Sequence, residues 1–115
     1  MNAPESDLKR MRCQACEGGV EPLTRDDAAV FLKQTPGWTL DEDGKQIRRT
    51  YSFKNFYETM AFVNALAWIA HVEDHHPDFE VGYKTCAVRY STHAIQGLSV
   101  NDFICAAKIN GLIGE

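Results

Sequence analysis

A hairpin signal in the first half of the chain constrains the possible folds more than any other feature. The segment KQIRRTYSF (45–53) alternates apolar and polar residues over most of its length, which is typical of a half-buried strand. A shorter run, GWTLDEDG (37–44), precedes it and ends in the turn pair Asp43–Gly44. An Asp-Gly pair between two such runs predicts a hairpin, and strands joined by a tight turn are antiparallel.

A second pair of strands is predicted in FEVGYKTCAVRYSTH (79–93). Apolar and polar residues alternate on both sides of a bend near 82–85. Together with the first hairpin, this pair predicts a four-stranded antiparallel sheet.

Three helices are predicted around these strands. The first begins near Thr24 and stops at Pro36–Gly37, the second extends from about 55 to 72, and the third covers 99–110. Each starts with a capping residue followed three positions later by an acid. The pairs are Thr24 with Asp27, Asn55 with Glu58, and Ser99 with Asp102. The order α-β-β-α-β-β-α predicts an α+β domain with the helices packed on one face of the sheet.

The helix predicted at 55–72 is apolar around most of its circumference. Between Met60 and Ala70 its one polar residue is Asn64, whereas a helix that covers a sheet needs a single apolar stripe. A second cover is therefore expected, either from another copy of the chain or from another helix of the same chain. The sequence leaves both alternatives open.

Composition and charge exclude several classes of protein. A chain of 115 residues has the length of one domain, and its net charge of -4 does not fit a nucleic-acid-binding surface. The polar N-terminus has no apolar signal segment, and the most apolar run (60–70) is too short to span a bilayer. We therefore predict a cytoplasmic protein that binds neither nucleic acid nor membrane.

Residues 1–20 are predicted to form a flexible arm, and residues 21–115 a single domain. The arm is polar, ends in Gly18–Gly19 and carries Cys13 and Cys16 in a CxxC motif. A lone CxxC is compatible with half of a zinc site or with a redox pair. No second CxxC follows, which favours two reduced thiols on the arm.

All four histidines fall within residues 71–93, and three of them are expected to meet at one rim of the domain. His75 and His76 lie just past the second helix, and Pro77 pushes His76 toward extended geometry, so the two rings diverge. His93 lies at the end of the last strand. Imidazole exchanges protons near neutral pH, so converging histidines favour general acid–base chemistry, such as the elimination of water.

A metal site and a structural role are the alternatives for these histidines. His71 and His75 share a helix face if the helix extends that far, and with His93 or a carboxylate they could bind zinc. His71 alone is better explained as a partly exposed residue at the negative end of the helix dipole. Asp102 completes a helix cap and is also able to orient a histidine.

The same residues resemble the pattern of the pterin-4a-carbinolamine dehydratase family. Segments FKNFYETMAFVNALA and GLSVNDF are similar to the family as well, and the resemblance covers about residues 23–110. The family motif is matched by His75-His76-Pro77, Tyr83, His93 and Asp102, with gaps of five, nine and eight residues.

The resemblance implies dehydration of 4a-hydroxytetrahydropterin to quinonoid dihydropterin, which recycles the pterin used by aromatic amino-acid hydroxylases. It implies that the pterin is the substrate, that no cofactor or metal is needed, and that homodimers or homotetramers form through helix 55–72 or the sheet edge. Animal relatives also act as dimerisation cofactors of a homeodomain transcription factor, so a non-catalytic binding role is the alternative.

The resemblance also implies roles for individual residues. His75 and His93 would move protons to the leaving hydroxyl and from the ring nitrogen, and His76 would position the pterin ring. The residues implied at the substrate are Asp74, Pro77, Phe79, Ser91 and Thr92, and the supporting residues are Asp102, Tyr83 and His71.

One position departs from the family pattern. The family has an acid four residues before its first histidine, where this chain has His71, and Glu73 lies two residues before that histidine. A shift of two residues on a helix end points a side chain elsewhere. We therefore expect reduced or altered activity rather than none.

Overall fold

The helices and strands follow one another in the predicted order. The computed structural model describes residues 7–15 and 20–115, and over that part of the chain the order α-β-β-α-β-β-α is confirmed. The helices are α1 (Arg25–Leu32), α2 (Phe56–Glu73) and α3 (Val100–Gly111), and the strands are β1 (Thr39–Leu40), β2 (Ile47–Ser52), β3 (Asp78–Val81) and β4 (Thr85–Tyr90). Short 3₁₀ helices lie at Leu8–Arg10 and His93–Ile95.

The four strands form one antiparallel sheet in the order β1-β2-β4-β3. The central pair, β2 and β4, places Ile47 opposite Tyr90 and Tyr51 opposite Cys86, and these four side chains are buried. Every second residue of β2, beginning with Arg48, is exposed. One face of the sheet is therefore covered and the other is open, as the alternation predicted.

Local hydrogen bonds confirm the three predicted helix N-termini. They run from Asp27 N to Thr24 Oγ1 at 3.1 Å, from Glu58 N to Asn55 Oδ1 at 2.9 Å, and from Ser99 N to Asp102 Oδ2 at 3.0 Å. Such bonds satisfy backbone N–H groups at the helix ends. They also fix where α2 and α3 begin, and therefore where the residues at their ends lie.

Helix α2 buries one stripe and leaves apolar side chains exposed on its other side. The buried stripe consists of Thr59, Phe62, Leu66, Ala70 and Glu73. On the outer side, Tyr57 is 80% exposed and Trp68 is 65% exposed. The rest of the chain therefore covers only part of the apolar circumference. Neither α2 nor any other helix within 7–15 and 20–115 has the length and apolarity needed to cross a membrane.

Residues 7–15 pack against α3, which differs from the flexible arm predicted for residues 1–20. Leu8 is only 2% exposed and belongs to the hydrophobic core, and Lys108 of α3 donates a hydrogen bond to Lys9 O at 2.8 Å. Met11 and Cys13 also pack against this core, and the polar composition of the stretch concealed these contacts. Cys16 and Gly18–Gly19 lie outside the described residues.

Candidate functional site

A cavity lies where α2 ends, β4 ends and α3 begins. Its volume is about 670 Å³, a size typical of small-molecule sites. Three of the four histidines, His75, His76 and His93, line it, as do Asp74 and Pro77. The structure therefore brings the three predicted imidazoles to one cavity.

The left-handed backbone of Asp74 turns the chain from α2 toward this cavity. Asp74 has φ 51° and ψ 45°, a conformation that aspartate adopts more readily than most residues. The backbone N–H of His75 donates to Ala70 O at 3.2 Å and completes the helix end. Pro77 restricts the backbone of His76, the residue before it. The side chain of His75 is then 14% exposed, whereas His76 remains exposed.

A buried carboxylate, Asp102, holds the ring of His75. Asp102 Oδ1 lies 2.6 Å from His75 Nε2, and Asp102 is fully buried. Its other oxygen, Oδ2, accepts hydrogen bonds from Thr92 Oγ1 at 2.8 Å and from Ser99 N at 3.0 Å. The ring of His75 also stacks on Tyr90, with centroids 5.2 Å apart and planes at 14°. These contacts fix the ring and direct Nε2 to the carboxylate.

The surroundings raise the pKa of His75 above its ordinary value of 6.5. Burial alone lowers this pKa, because a charged ring is less well solvated inside the protein. The hydrogen bond to Asp102 and the negative charge of Asp102 raise it by more. The surroundings therefore favour the protonated form of His75 more than water does for a free imidazole, as a residue that donates a proton requires.

The end of β4 supplies further predicted residues to the cavity. Ser91 and Thr92 line it, and His93 begins the 3₁₀ helix that follows. The backbone N–H of Thr92 donates to Gly97 O at 2.8 Å, which closes this turn. His93 is exposed, as His76 is. Both rings are therefore accessible to a molecule that enters the cavity from solvent.

Besides the fully buried Asp102, three residues that the resemblance linked to the site do not line the cavity. Phe79, on the edge strand β3, is 38% exposed, and Tyr83, which follows β3, is 66% exposed. The ring of Tyr83 stacks on Phe56 with centroids 6.0 Å apart. His71 is exposed on α2, and its ring centroid lies 5.1 Å from that of Trp68. Within one protomer these side chains are separated from the cavity.

The metal alternative finds no support in the described part of the chain. Residues 7–15 and 20–115 contain no group of three or more histidine, cysteine, aspartate or glutamate side chains that could hold a metal ion. Helix α2 ends before His75, so His71 and His75 do not share a helix face as the zinc alternative required. Cys16 of the CxxC motif is not among the described residues.

Comparison with known proteins decides the family. Residues 21–112 match the family model described as pterin 4 alpha carbinolamine dehydratase. The chain belongs to this family. A relative from Nitrosomonas eutropha is 58% identical over 108 residues, 93% of this chain and 94% of the relative. A relative from Legionella pneumophila is 54% identical over 109 residues, 94% of this chain and 96% of the relative. Both are named "Putative pterin-4-alpha-carbinolamine dehydratase".

Solved structures agree with this membership. A transcriptional coactivator/pterin dehydratase from Brucella melitensis is 29% identical with a TM-score of 0.78, and the match covers 82% of this chain and all of that one. A pterin dehydratase-like protein, described as a RuBisCO assembly factor in the alpha-carboxysome, is 20% identical with a TM-score of 0.61. That match covers 69% of this chain and 92% of the other, and it shows likeness of fold alone.

Glu73, two residues before the first histidine of the dehydratase motif, is buried, which the sequence did not predict. Its side chain is 3% exposed. Burial raises the pKa of Glu73, whereas the Cys13 N–H and the charges of Lys108 and Arg12 lower it by more, so the pKa lies below its ordinary value. The helical spacing of the buried stripe on α2 could have revealed this position.

Asn101 was missed as well, and no sequence signal pointed to it. It lies in the first turn of α3, is 5% exposed, and lines the cavity next to Asp102. Its side chain hydrogen-bonds the backbone of Gln14, in a segment that the sequence analysis treated as separate from the domain.

Proposed function

We propose that the chain dehydrates 4a-hydroxytetrahydropterin to quinonoid dihydropterin, with His75 as the central proton-transfer residue. The 2.6 Å contact between His75 Nε2 and Asp102 Oδ1, at the wall of a cavity that His76 and His93 also line, is the observation that carries this proposal. Membership of the family and the names of the relatives support the substrate.

The proposed reaction breaks the bond between C4a and the hydroxyl oxygen and removes the proton from N5, so that water leaves. His75 donates a proton from Nδ1 to the leaving hydroxyl, because Nε2 is engaged by Asp102. The raised pKa of His75 supports the protonated form that this step needs. His93 accepts the N5 proton, and both rings then return to their starting states by exchanging a proton with water.

The other residues at the cavity are proposed to bind the pterin ring. His76 is exposed beside His75 and is proposed to position the ring. The carboxylate of Asp74 is able to accept hydrogen bonds from ring N–H and amino groups, and the Ser91–Thr92 backbone offers further partners. Pro77 supplies apolar surface. The pterin is the substrate, and the proposal includes no cofactor.

The wider roles stay predictions. Dehydration of the carbinolamine would return the pterin to an aromatic amino-acid hydroxylase, and the cytoplasmic location rests on the sequence argument alone.

We also propose that the chain forms a homo-oligomer through the exposed side of α2 and the edge strand β3. Tyr57 and Trp68 on α2 are large and mostly exposed, and Phe79 and Val81 on β3 are 38% and 42% exposed. Strand β3 lies at the edge of the sheet, where its outer backbone groups are available to another strand. A second copy would cover both surfaces.

The proposed reaction is tested by following the absorbance of freshly generated 4a-hydroxytetrahydropterin with wild type, His93→Ala and His71→Ala. Wild type should accelerate the decay, and His93→Ala should lower kcat about 10²-fold or more, the usual contribution of a general acid or base. His71→Ala is the matched control, because this ring is exposed outside the cavity; its kcat should equal that of wild type.

Decay with wild type at the buffer rate would refute the dehydratase proposal. A non-catalytic binding role, as in the coactivator description of the Brucella relative, would then be the better account, and it would be insensitive to replacement of the histidines.

A further inference from the structure

The N-terminal segment forms part of the cavity although it lies outside the residues that match the family model. Cys13, Gln14 and Ala15 line the same cavity as His75 and His93, whereas the match to the family begins at residue 21. The residues that match the family model therefore leave open a side of the site that residues 13–15 close.

Glu73 is the first anchor of this segment. Its Oε1 accepts a hydrogen bond from the backbone N–H of Cys13 at 2.8 Å. Its Oε2 lies 3.1 Å from Arg12 Nε and 3.5 Å from Lys108 Nζ. A buried carboxylate needs such partners to offset its desolvation. One carboxylate thus ties together the N-terminal segment, α2 and α3.

Asn101 is the second anchor, and it holds Gln14 from both sides of its backbone. Asn101 Nδ2 donates to Gln14 O at 2.7 Å, and Gln14 N donates to Asn101 Oδ1 at 3.1 Å. The neighbouring thiol of Cys13 lies 3.6 Å from Asn101 O and 3.6 Å from the Sγ of Cys105. The segment is therefore fixed at consecutive residues against α3.

The two anchors lie beside the residues proposed to act in proton transfer. Glu73 is two residues before His75, and Asn101 immediately precedes Asp102. Neither anchor touches the His75–Asp102 contact itself in the hydrogen bonds described. The anchors therefore hold a surface for the substrate next to the reacting groups without taking part in proton transfer.

We propose that residues 13–15 form a substrate-binding wall and that Glu73 and Asn101 are positioning residues that hold it. This inference rests on the proposed pterin site. A wall that contacts the substrate equally before and during the reaction changes KM and leaves kcat unaltered. The N-terminal segment thereby contributes to the affinity of this chain for its pterin.

The chain offers a matched pair of buried asparagines on α3 for the test. Asn101→Ala removes the two bonds to Gln14. Asn110→Ala removes a buried amide that hydrogen-bonds Trp38 and Tyr51, far from the cavity. Asn101→Ala should raise KM roughly tenfold, as expected for the loss of two neutral hydrogen bonds, with kcat unchanged. Asn110→Ala should lower the melting temperature and leave KM as in wild type.

Glu73 gives an independent variant on another element. Glu73→Ala should raise KM as Asn101→Ala does, whereas Glu73→Gln retains an acceptor for Cys13 N and should restore part of the affinity. An unchanged KM in folded Asn101→Ala and Glu73→Ala would refute the proposal that residues 13–15 bind substrate. An equal rise of KM in Asn110→Ala would refute it as well.

Calorimetric titration with 7,8-dihydrobiopterin, a stable pterin, separates this inference from the proposed reaction. If wild type binds this ligand and Asn101→Ala binds it roughly tenfold more weakly, the binding role of residues 13–15 is supported even where wild type shows no turnover. If wild type does not bind it, or all variants bind it equally, the wall is refuted.

Discussion

Replacing Asp102 by asparagine should abolish most of the proposed activity while the protein stays folded. The carboxylate accepts three hydrogen bonds, from His75 Nε2, Thr92 Oγ1 and Ser99 N. An asparagine has the same shape, but its amide group donates rather than accepts at one side. With the amide facing His75, Nε2 becomes an acceptor and the proton of the neutral ring moves to Nδ1. The ring then carries no positive charge, and it cannot give its Nδ1 proton to a leaving hydroxyl.

The magnitudes separate a catalytic effect from a structural one. A hydrogen bond to a charged group contributes about 1.5–3 kcal/mol and a neutral one about 0.5–1.5 kcal/mol, so three weakened bonds cost about 3 kcal/mol. A chain of 115 residues has a free energy of unfolding of roughly 6–17 kcal/mol, so Asp102→Asn remains folded. Loss of a general acid lowers kcat by about 10²–10⁴, and the same exchange beside the histidine of a serine protease lowers it roughly 10⁴-fold.

Asp27→Asn is the matched control, because Asp27 has the same capping position in α1 and no histidine beside it. Stopped-flow absorbance gives kcat, circular dichroism gives the melting temperature, and ¹⁵N NMR of the ring identifies the tautomer of His75. We expect the kcat of Asp102→Asn to fall at least about 10²-fold below that of wild type, and the kcat of Asp27→Asn to equal that of wild type. A folded Asp102→Asn with the kcat of wild type would refute the role given to the His75–Asp102 pair.

Three further predictions follow from the contacts. Because the pKa of His75 is raised on folding, its protonation stabilises the fold below pH 6.5, and this contribution is lost as pH rises through the folded pKa. In urea titrations, the difference in unfolding free energy between wild type and His75→Gln should therefore shrink with increasing pH. A difference that grows with pH would contradict the raised pKa of His75. In a Cys16→Ser variant, oxidation by diamide should form a disulfide between Cys13 and Cys105, whose Sγ atoms lie 3.6 Å apart. If peptide mass spectrometry finds no such disulfide, the packing of the N-terminal segment against α3 is contradicted. Trp68→Glu should shift the mass measured by light scattering toward that of the monomer, whereas the control Lys33→Glu, at the C-terminal end of α1, should leave it unchanged. An unchanged mass for Trp68→Glu would exclude α2 from the proposed contact.

The fold was predictable because its signals are local. Alternation in β2 and the Asp43–Gly44 pair predicted a hairpin, and the structure forms it. Its loop is longer than a two-residue turn, because Leu40 pairs with Ile47, and within that loop Gly44 has a positive φ of 71°. The helix caps need only residues three positions apart. The end of α3 differs by one residue: the helix was predicted to end at 110 but extends to Gly111, and the left-handed glycine beyond it is Gly114.

The site was predictable only in part, since several of its contacts join residues far apart in sequence. The spacing of His75, His76 and His93 indicated one rim, and the structure brings these residues to one cavity. The bonds from Glu73 to Cys13 and from Asn101 to Gln14 cross 60 and 87 residues. No periodicity or motif predicts such pairs, because each depends on how the helices pack in three dimensions.

The most direct test of the account is the decay rate of 4a-hydroxytetrahydropterin as a function of protein concentration, for wild type and His75→Ala side by side. We expect a rate that rises linearly with wild-type concentration, and a slope about 10²–10⁴ times smaller for His75→Ala. Equal slopes for the two proteins would contradict the central role of His75, and a zero slope for wild type would contradict the dehydratase function itself.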